Sequence, residues 1–212
     1  MTTAPFFEAA MLAEVPGLHH GFFGRRGGVS EGPFASLNCT TANGDDPAHV
    51  AENRRRVCAA LDLMPESLVT VTQVHGIHTS VVTKPWAADN SPKADALVTA
   101  TPGVALGLLT ADCAPVLLVD PKARVIGAAH AGWRGALGGV LHSVVGAMEN
   151  LGAKPGDILA AIGPTIGPGS YQVGPEFSDP FLNQDPGNQA LFSDASGHMR
   201  FDLPGYVGNR LL

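Results

Sequence analysis

The sequence predicts an α/β (α+β) fold in which mixed β-sheets are sandwiched between helices. Three observations lead there. Short apolar runs follow one another closely between residues 68 and 129, several of them uninterrupted, as in strands buried on both faces. Two stretches, 47–61 and 135–149, carry apolar residues at helical spacing. The strands stand too close together for strict βαβ alternation, which disfavours a doubly wound nucleotide fold.

Each element has its own signal. HHGFF at 19–23 reads as a short strand, and GRRGGVSEGP at 24–33 as a glycine-rich loop with two arginines. Asp46 followed by Pro47 is an N-cap with proline at the first helical position, opening a helix to about Leu61 with Val50, Val57, Ala60 and Leu61 on one face. The run Arg54, Arg55, Arg56 is expected on a solvated face. Strands are predicted at 68–74, 78–82, 95–100, 104–110, 115–119 and 124–129. The clearest helix spans about 135–149, where Leu137, Val140, Leu141, Val144, Val145 and Met148 form a stripe and His142 lies off it. A strand follows at 157–162, then a glycine- and proline-rich stretch, a helix at 175–183 and the opening of another at 205–212. No internal repeat or low-complexity tract appears, so residues 1–212 are expected to form a single domain.

Composition excludes several classes. Thirteen basic and nineteen acidic residues give a net charge of −6, against an electrostatic nucleic-acid binder. Hydrophobic residues at 45% support a sizeable core, and that content with little charge excludes a disordered chain. Cys39, Cys58 and Cys113 cannot all be paired and show no framework spacing, which indicates a reducing compartment. The first residues lack a basic stretch and carry Glu8 and Glu14, unlike a signal peptide. The longest apolar candidate for a membrane span, from Gly103 to Val119, is broken by Asp112. A cytoplasmic protein without a membrane partner, monomeric or weakly oligomeric, is expected.

Three stretches can carry chemistry: Q-V-H-G around His75, T-A-D-C-A-P around Cys113 and A-A-H-A-G-W-R-G around His130. Each lies where a predicted strand meets a loop, so a rigid frame could hold the side chain beside an open space. If the three meet, two imidazoles and a thiolate supply three ligands for Zn²⁺ and leave a fourth position open for catalysis. Two other readings fit the same residues. His75 and His130 can be satisfied structural groups with Cys113 a small buried hydrophobe. Alternatively, Cys113 can be a nucleophile with His130 as its base. His130-Ala-Gly-Trp-Arg-Gly leads into the strongest predicted helix, so Arg134 and free N–H groups could hold an anion, with Arg25 a second contact. Asp112 and Asp95 are candidate acid/base groups or holders of a ligand imidazole; a strand-capping role suits Asp95 better than Asp112.

Six ordered stretches, HGFFGRRGGVSEGPFASLN, TQVHG, ADALVT, TADCAPVLL, AAHAGWRG and IGPTIGPGSYQVG, resemble the multicopper polyphenol oxidase or laccase-domain family, also called the YfiH family. The resemblance runs from about residue 19 to the end. It implies a sandwich of mixed sheets flanked by helices, similar to the catalytic domain of cytotoxic necrotising factor toxins. It implies metal ligands at His75, Cys113 and His130, usually for zinc. It further implies a purine nucleoside phosphorylase acting on adenosine, inosine, guanosine and 5′-methylthioadenosine, with adenosine deamination, so that the partners are a purine nucleoside and phosphate. Arg25, Asn38, Gln73 and Arg134 would line that pocket, with Asp112 or Asp95 as acid/base. Some relatives are described as amidases that edit peptidoglycan precursors, which also requires only zinc and water. Copper-dependent phenol oxidation fits less well, because reduction of dioxygen needs several copper centres and only one His₂Cys trio is evident. The chain departs from the family pattern at Gly24, at Cys39 and at Gly169-Ser170, where threonine, a small residue or glycine, and a cysteine pair are usual. The family pattern also continues through an aromatic-rich strand with an arginine pair, so the chain is expected to lack a C-terminal segment.

Overall fold

The computed structural model describes residues 4–87, 90–195 and 197–212. In chain order its elements begin with β1 (Phe6–Phe7), α1 (Ala10–Ala13), β2 (Phe22–Phe23), α2 (Pro47–Ala60), β3 (Leu68–Val69), β4 (Thr79–Val81), β5 (Ala96–Thr99) and β6 (Ala105–Leu106). They continue with β7 (Ala114–Asp120), β8 (Val125–Ala131), α3 (Trp133–Gly138), α4 (Val140–Asn150), β9 (Leu159–Ile162), α5 (Asp179–Gln184), β10 (Phe192–Ala195), β11 (His198–Phe201) and α6 (Leu203–Asn209). The central sheet has the order β4-β5-β8-β7-β9. Strands β4 and β5 run parallel, and every other pairing in the sheet is antiparallel. The mixed α/β architecture expected from the sequence is therefore present, and no described helix is long and apolar enough to cross a membrane.

Alternation along the strands decides which face each residue covers. Val116, Leu118, Val125 and Ala129 pack in one core with Val140, Leu141, Val144 and Met148 of α4. Gly127 lets α4 approach, since a Cβ there would stand 2.9 Å from the Met148 sulfur. Phe177, Phe181, Phe192, Phe201 and Tyr206 extend this core, with Phe181 and Phe201 centroids 4.7 Å apart. On the other face Leu117, Ile126 and Ala128 line a cavity of about 1150 Å³ shared with Phe22, Val57 and Leu106.

Several elements differ from their predicted form. The helix foreseen at 135–149 is two helices, because Gly139 turns left-handed at φ 104° and ends α3 before α4 begins. The strand expected at 68–74 ends at Val69 and that at 104–110 at Leu106. Their continuations leave the ladder to form loops, in which Thr72 keeps an isolated bridge to Lys93 and Gln73 holds Leu109 through its side chain. The hairpin β10–β11 was unforeseen, its sequence being polar on much of its length. The arginine run is only partly solvated. Arg55 is exposed, whereas Arg54 Nε donates to Cys39 O at 2.9 Å and Arg56 Nη1 to Gly27 O at 2.9 Å, tying loops to α2. Asn53, fully buried between them, accepts from Val29 N–H and donates to Ser30 Oγ and to the Ser36 and Asn38 carbonyls.

Asp120, at the end of β7, closes the turn to β8. Its carboxylate accepts backbone N–H bonds from Lys122, Ala123 and Lys154, each at 2.9 Å. The bonds from Ala123 and Lys154 are the main cause of a carboxyl held below its ordinary range. A depressed folded-state value stabilises the fold above the unfolded carboxyl's ordinary pKa of about 4, and this is lost as pH falls through the folded value. Asp120→Asn is expected to lower the melting temperature by several degrees at pH 7. The gap from wild type should narrow below about pH 4, as thermal melts across pH 2–7 would register.

Candidate metal centre

Strand register brings the three motifs together. Ala114 pairs with Ala131 and Ala96 with Ala129, so one step further along, Cys113 meets Gly132 and Asp95 meets His130. Asp95 is completely buried. Its backbone N–H donates to His78 O at 3.0 Å and its carbonyl accepts from His130 N–H at 2.7 Å, joining β4 and β8 across β5. Its carboxylate then accepts four hydrogen bonds. Three come from the backbone N–H groups of Val74, His75 and Gly76 at 3.1, 2.9 and 2.7 Å. The fourth comes from His130 Nδ1 at 2.8 Å. Burial opposes ionisation of Asp95, but these donors together outweigh it and hold the carboxyl below its usual range. With Nδ1–H given to a carboxylate, His130 keeps its Nε2 lone pair for a ligand.

The side-chain donor atoms of His75, Cys113 and His130 lie within 4.8 Å of one another. The two imidazoles meet edge-on at 74° with centroids 4.8 Å apart. His75 is exposed, Cys113 half-buried and His130 buried, so the group opens to solvent on one side. His75 itself sits at φ 58° and Asp112, before Cys113, at φ 76°, so both ligands leave their loops through left-handed turns. Burial lowers the His130 pKa, with the Asp95 contact opposing and His75 assisting, and the ring is held neutral as a metal ligand must be. Burial, then the charges of Asp112 and Asp95, push the Cys113 thiol up. In the bare site sulfur therefore keeps its proton, which a divalent cation would displace.

Glycines make the convergence sterically possible. A Cβ on Gly132 would stand 2.9 Å from Cys113 Sγ and 3.1 Å from the His75 ring. One on Gly135 would stand 2.8 Å from Gly76 O, and one on Gly138 2.9 Å from the Ile77 side chain. Three glycines at three-residue spacing along α3 thus form the face against which the His75 loop lies. The helix that opens after His130 is the six-residue α3, and the longer α4 begins only at Val140.

The other predicted residues divide into two groups. Asp112 is exposed beside Cys113, and its carbonyl accepts from Thr165 Oγ1 at 2.6 Å and Ile166 N–H at 2.9 Å. Arg134 is exposed with its guanidinium carbon 4.7 Å above the Trp133 ring. Gln73 spends both ends of its amide on one residue, donating to Leu109 O at 2.8 Å and accepting from Leu109 N–H at 2.9 Å. It clasps the loop before Cys113 to the loop carrying His75. Arg25 and Asn38 line the large cavity, whose walls do not include the trio. Arg25 donates from Nε and Nη2 to Ala35 O, and Asn38 Nδ2 donates to Asp45 Oδ2 at 2.8 Å. Sequence reasoning did not single out Tyr171, whose ring centroid lies 6.0 Å from that of Phe177, itself 4.9 Å from Trp133. Its only sequence signal was its place in the glycine- and proline-rich stretch IGPTIGPGSYQVG.

The profile of a family described as multi-copper polyphenol oxidoreductase laccase matches residues 19–212. The chain belongs to this family. It is 45% identical over 210 residues to a Deinococcus radiodurans protein named purine nucleoside phosphorylase, spanning 98% of this chain and 77% of that protein. It is 48% identical over 195 residues to a Streptomyces griseus protein named purine nucleoside phosphorylase ORF3, spanning 91% and 78%. Among solved structures, YlmD from Geobacillus stearothermophilus superimposes with a TM-score of 0.82 at 37% identity, covering 90% of this chain and 74% of that one. A Bacillus licheniformis protein titled YfiH gives 0.84 at 34% identity, covering 90% and 75%. The fold is thus that of the laccase domain.

For this laccase-family chain the trio is the one group of three or more potential metal ligands among the described residues. Two imidazole nitrogens and a sulfur suit a borderline-soft divalent cation and leave a coordination position free. Asp95→Asn should weaken divalent-metal binding about 10–100-fold, as loss of a ligand's orienting partner does, measured by competition with a chromophoric chelator. Gly135→Ala should push the Gly76 carbonyl away and weaken metal binding in the same assay, with a smaller loss for Gly146→Ala, where a Cβ meets nothing within 4 Å.

Proposed function

We propose that this chain is a zinc-dependent purine nucleoside phosphorylase acting on adenosine, inosine, guanosine and 5′-methylthioadenosine, with adenosine deamination as a second activity. The observation that carries the reading is the solvent-open His75–Cys113–His130 cluster, backed by Asp95, in a chain 45% identical to a protein bearing the phosphorylase name. His75, Cys113 and His130 would hold the zinc ion. When bound, zinc supplies a Lewis acid with an open position, able to polarise a substrate oxygen or activate water.

The chain's own residues account for the remaining tasks. Phosphorolysis forms a bond between a phosphate oxygen and ribose C1′ and breaks the bond from C1′ to the purine, whose nitrogen leaves with the electron pair and needs a proton. Arg134, with its guanidinium carbon 4.7 Å from the Trp133 ring centroid, would offer a forked donor for the phosphate. Asp112, exposed beside Cys113, would move the proton. Asp95 has every lone-pair direction engaged by backbone and His130 donors, so it acts as a positioning group rather than as the acid/base. Arg25, Asn38 and Gln73 support the reading only indirectly, through the loops their hydrogen bonds hold.

Metal analysis of the purified protein, followed by incubation with adenosine and phosphate, tests the reading. Zinc near one equivalent and formation of adenine with ribose 1-phosphate are expected; inosine would report deamination. His75→Ala should lose most of the zinc and most of the turnover. Activity that survives chelation and is abolished by alkylation of Cys113 would replace the metal reading with a cysteine hydrolase.

A further inference from the structure

The face of the central sheet opposite α4 is packed toward its sides and open in its middle. Register places Leu97, Ala128, Leu117 and Ala161 in one row across β5, β8, β7 and β9, with Ile126 beside Val119 in the next row. Toward β5, Leu97 joins a small core with Val69, Val82 and Val104, onto which Leu106 of β6 packs. Toward β9, Phe22 of β2 lies against Gly163, just past the strand end, where a Cβ would overlap its ring. Between them, half-buried Leu117 and Ile126 belong to neither hydrophobic core and face the cavity of about 1150 Å³. The layer over this face holds two separate two-stranded ladders, β1–β2 and β3–β6, and both β2 and β6 border the cavity. Among the described residues β2 pairs only with β1 and β6 only with β3, so each has an unpaired edge. A two-stranded ladder is marginal until further strands extend it.

One wall of the cavity also carries an unmet donor. His20 is 7% exposed, and its Nε2 accepts from Ala9 N–H at 2.9 Å, which puts the ring proton on Nδ1. That Nδ1–H is buried and has no partner among the described residues. A buried donor left unpaired is costly, and a carbonyl is the acceptor it lacks. The cavity exceeds the ~300–1,000 Å³ usual for small-molecule sites. The relatives have polypeptide that could enter it, since this chain spans 77% of the Deinococcus radiodurans protein and 74% of YlmD.

We propose that the cavity is a docking groove for a further β-strand of polypeptide, which lies between β2 and β6 and joins the two ladders into one sheet over Leu117 and Ile126. The occupant is the stretch by which the relatives exceed this chain. Alternate side chains of such a strand are apolar and cover the sheet, while its backbone pairs with the free edges of β2 and β6 and offers His20 a carbonyl. Two facing sheets about 10 Å apart result. The metal trio is not part of the cavity wall, so the inference is independent of the phosphorylase reading.

The test mixes the purified 212-residue chain with the stretch of the Deinococcus radiodurans protein outside the 210 matched residues, produced separately. If that stretch does not stay soluble alone, it is joined to the chain by a flexible linker and the same measurements are made. Hydrogen exchange should slow about ten-fold or more at Phe22–Phe23 and Ala105–Leu106 and stay unchanged in α4, which is already packed. An apolar fluorescent dye should bind the chain alone and be displaced by the stretch. Ile126→Asp should weaken the association about ten-fold or more, with a thermal melt verifying the fold. If that variant melts early, the wild-type exchange map decides. Absence of association, or protection confined to other elements, overturns the proposal. So does a stable dimer of the chain that protects the same strands, or a small molecule retained in the cavity on native mass spectrometry.

Discussion

The buried carboxylate of Asp95 is the constraint on which the site depends. It stands where three strands meet, its backbone shared between β4 and β8, its side chain facing the ends of two motifs distant in the chain. Burying an ionised carboxylate is costly, and only a full set of donors makes it tolerable. Here the set consists of three successive backbone N–H groups and an imidazole, with hydrogen bonds to a charged group contributing about 1.5–3 kcal/mol each. The carboxylate consequently dictates the course of the chain from Val74 to Gly76, and with it the left-handed conformation of His75. The same oxygen atoms set the tautomer of His130. One residue thereby orients two of the three potential ligands.

The third ligand is placed by sheet register and by absence of side chains. Cys113 precedes β7 and faces Gly132 at the end of β8, and any larger residue at 132 would collide with both sulfur and imidazole. Gly135 and Gly138 extend this clearance along α3, so the His75 loop rests on a helix face without Cβ atoms. The glycines of HAGWRGALG are thus explained by close approach of polypeptide, while the intervening Trp133 packs against Phe177 with the Arg134 guanidinium over its ring.

How far the sequence reveals this depends on the range of the interaction. Local signals were readable: the Asp46-Pro47 helix start, the closely spaced apolar runs that become β7 and β8, and the apolar stripe of α4 all have their causes within a few residues. Gly139 was the local feature read wrongly, since a stripe that continues in phase conceals a break in the backbone. The pairing of His75, Cys113 and His130 could be suspected from residue type and resemblance, but nothing in their spacing brings them together; strand register does. The two aspartates show the same limit. Both were candidates to hold a ligand imidazole, with strand capping judged to suit Asp95 better, yet Asp112 turns outward, while Asp95 lies directly across the β5–β8 ladder from His130. The family resemblance put Gln73 in the pocket, and only the path of a loop 36 residues away shows both of its amide atoms engaged.

The electrostatics of the bare cluster connect this architecture to its chemistry. Burial keeps His130 neutral and Cys113 protonated, and the fully hydrogen-bonded Asp95 carboxylate stands directly behind the cluster. None of the three ligands belongs to the hydrophobic cores, and the loops that hold them are fastened by hydrogen bonds that need no metal. Such a site is organised before it is filled. Structural zinc sites are the reverse: they are closed by four ligands and supply folding free energy outright. A half-exposed trio held in position by a buried carboxylate and a glycine face therefore suits an ion that would meet substrate, because the side of the cluster away from Asp95 opens to solvent.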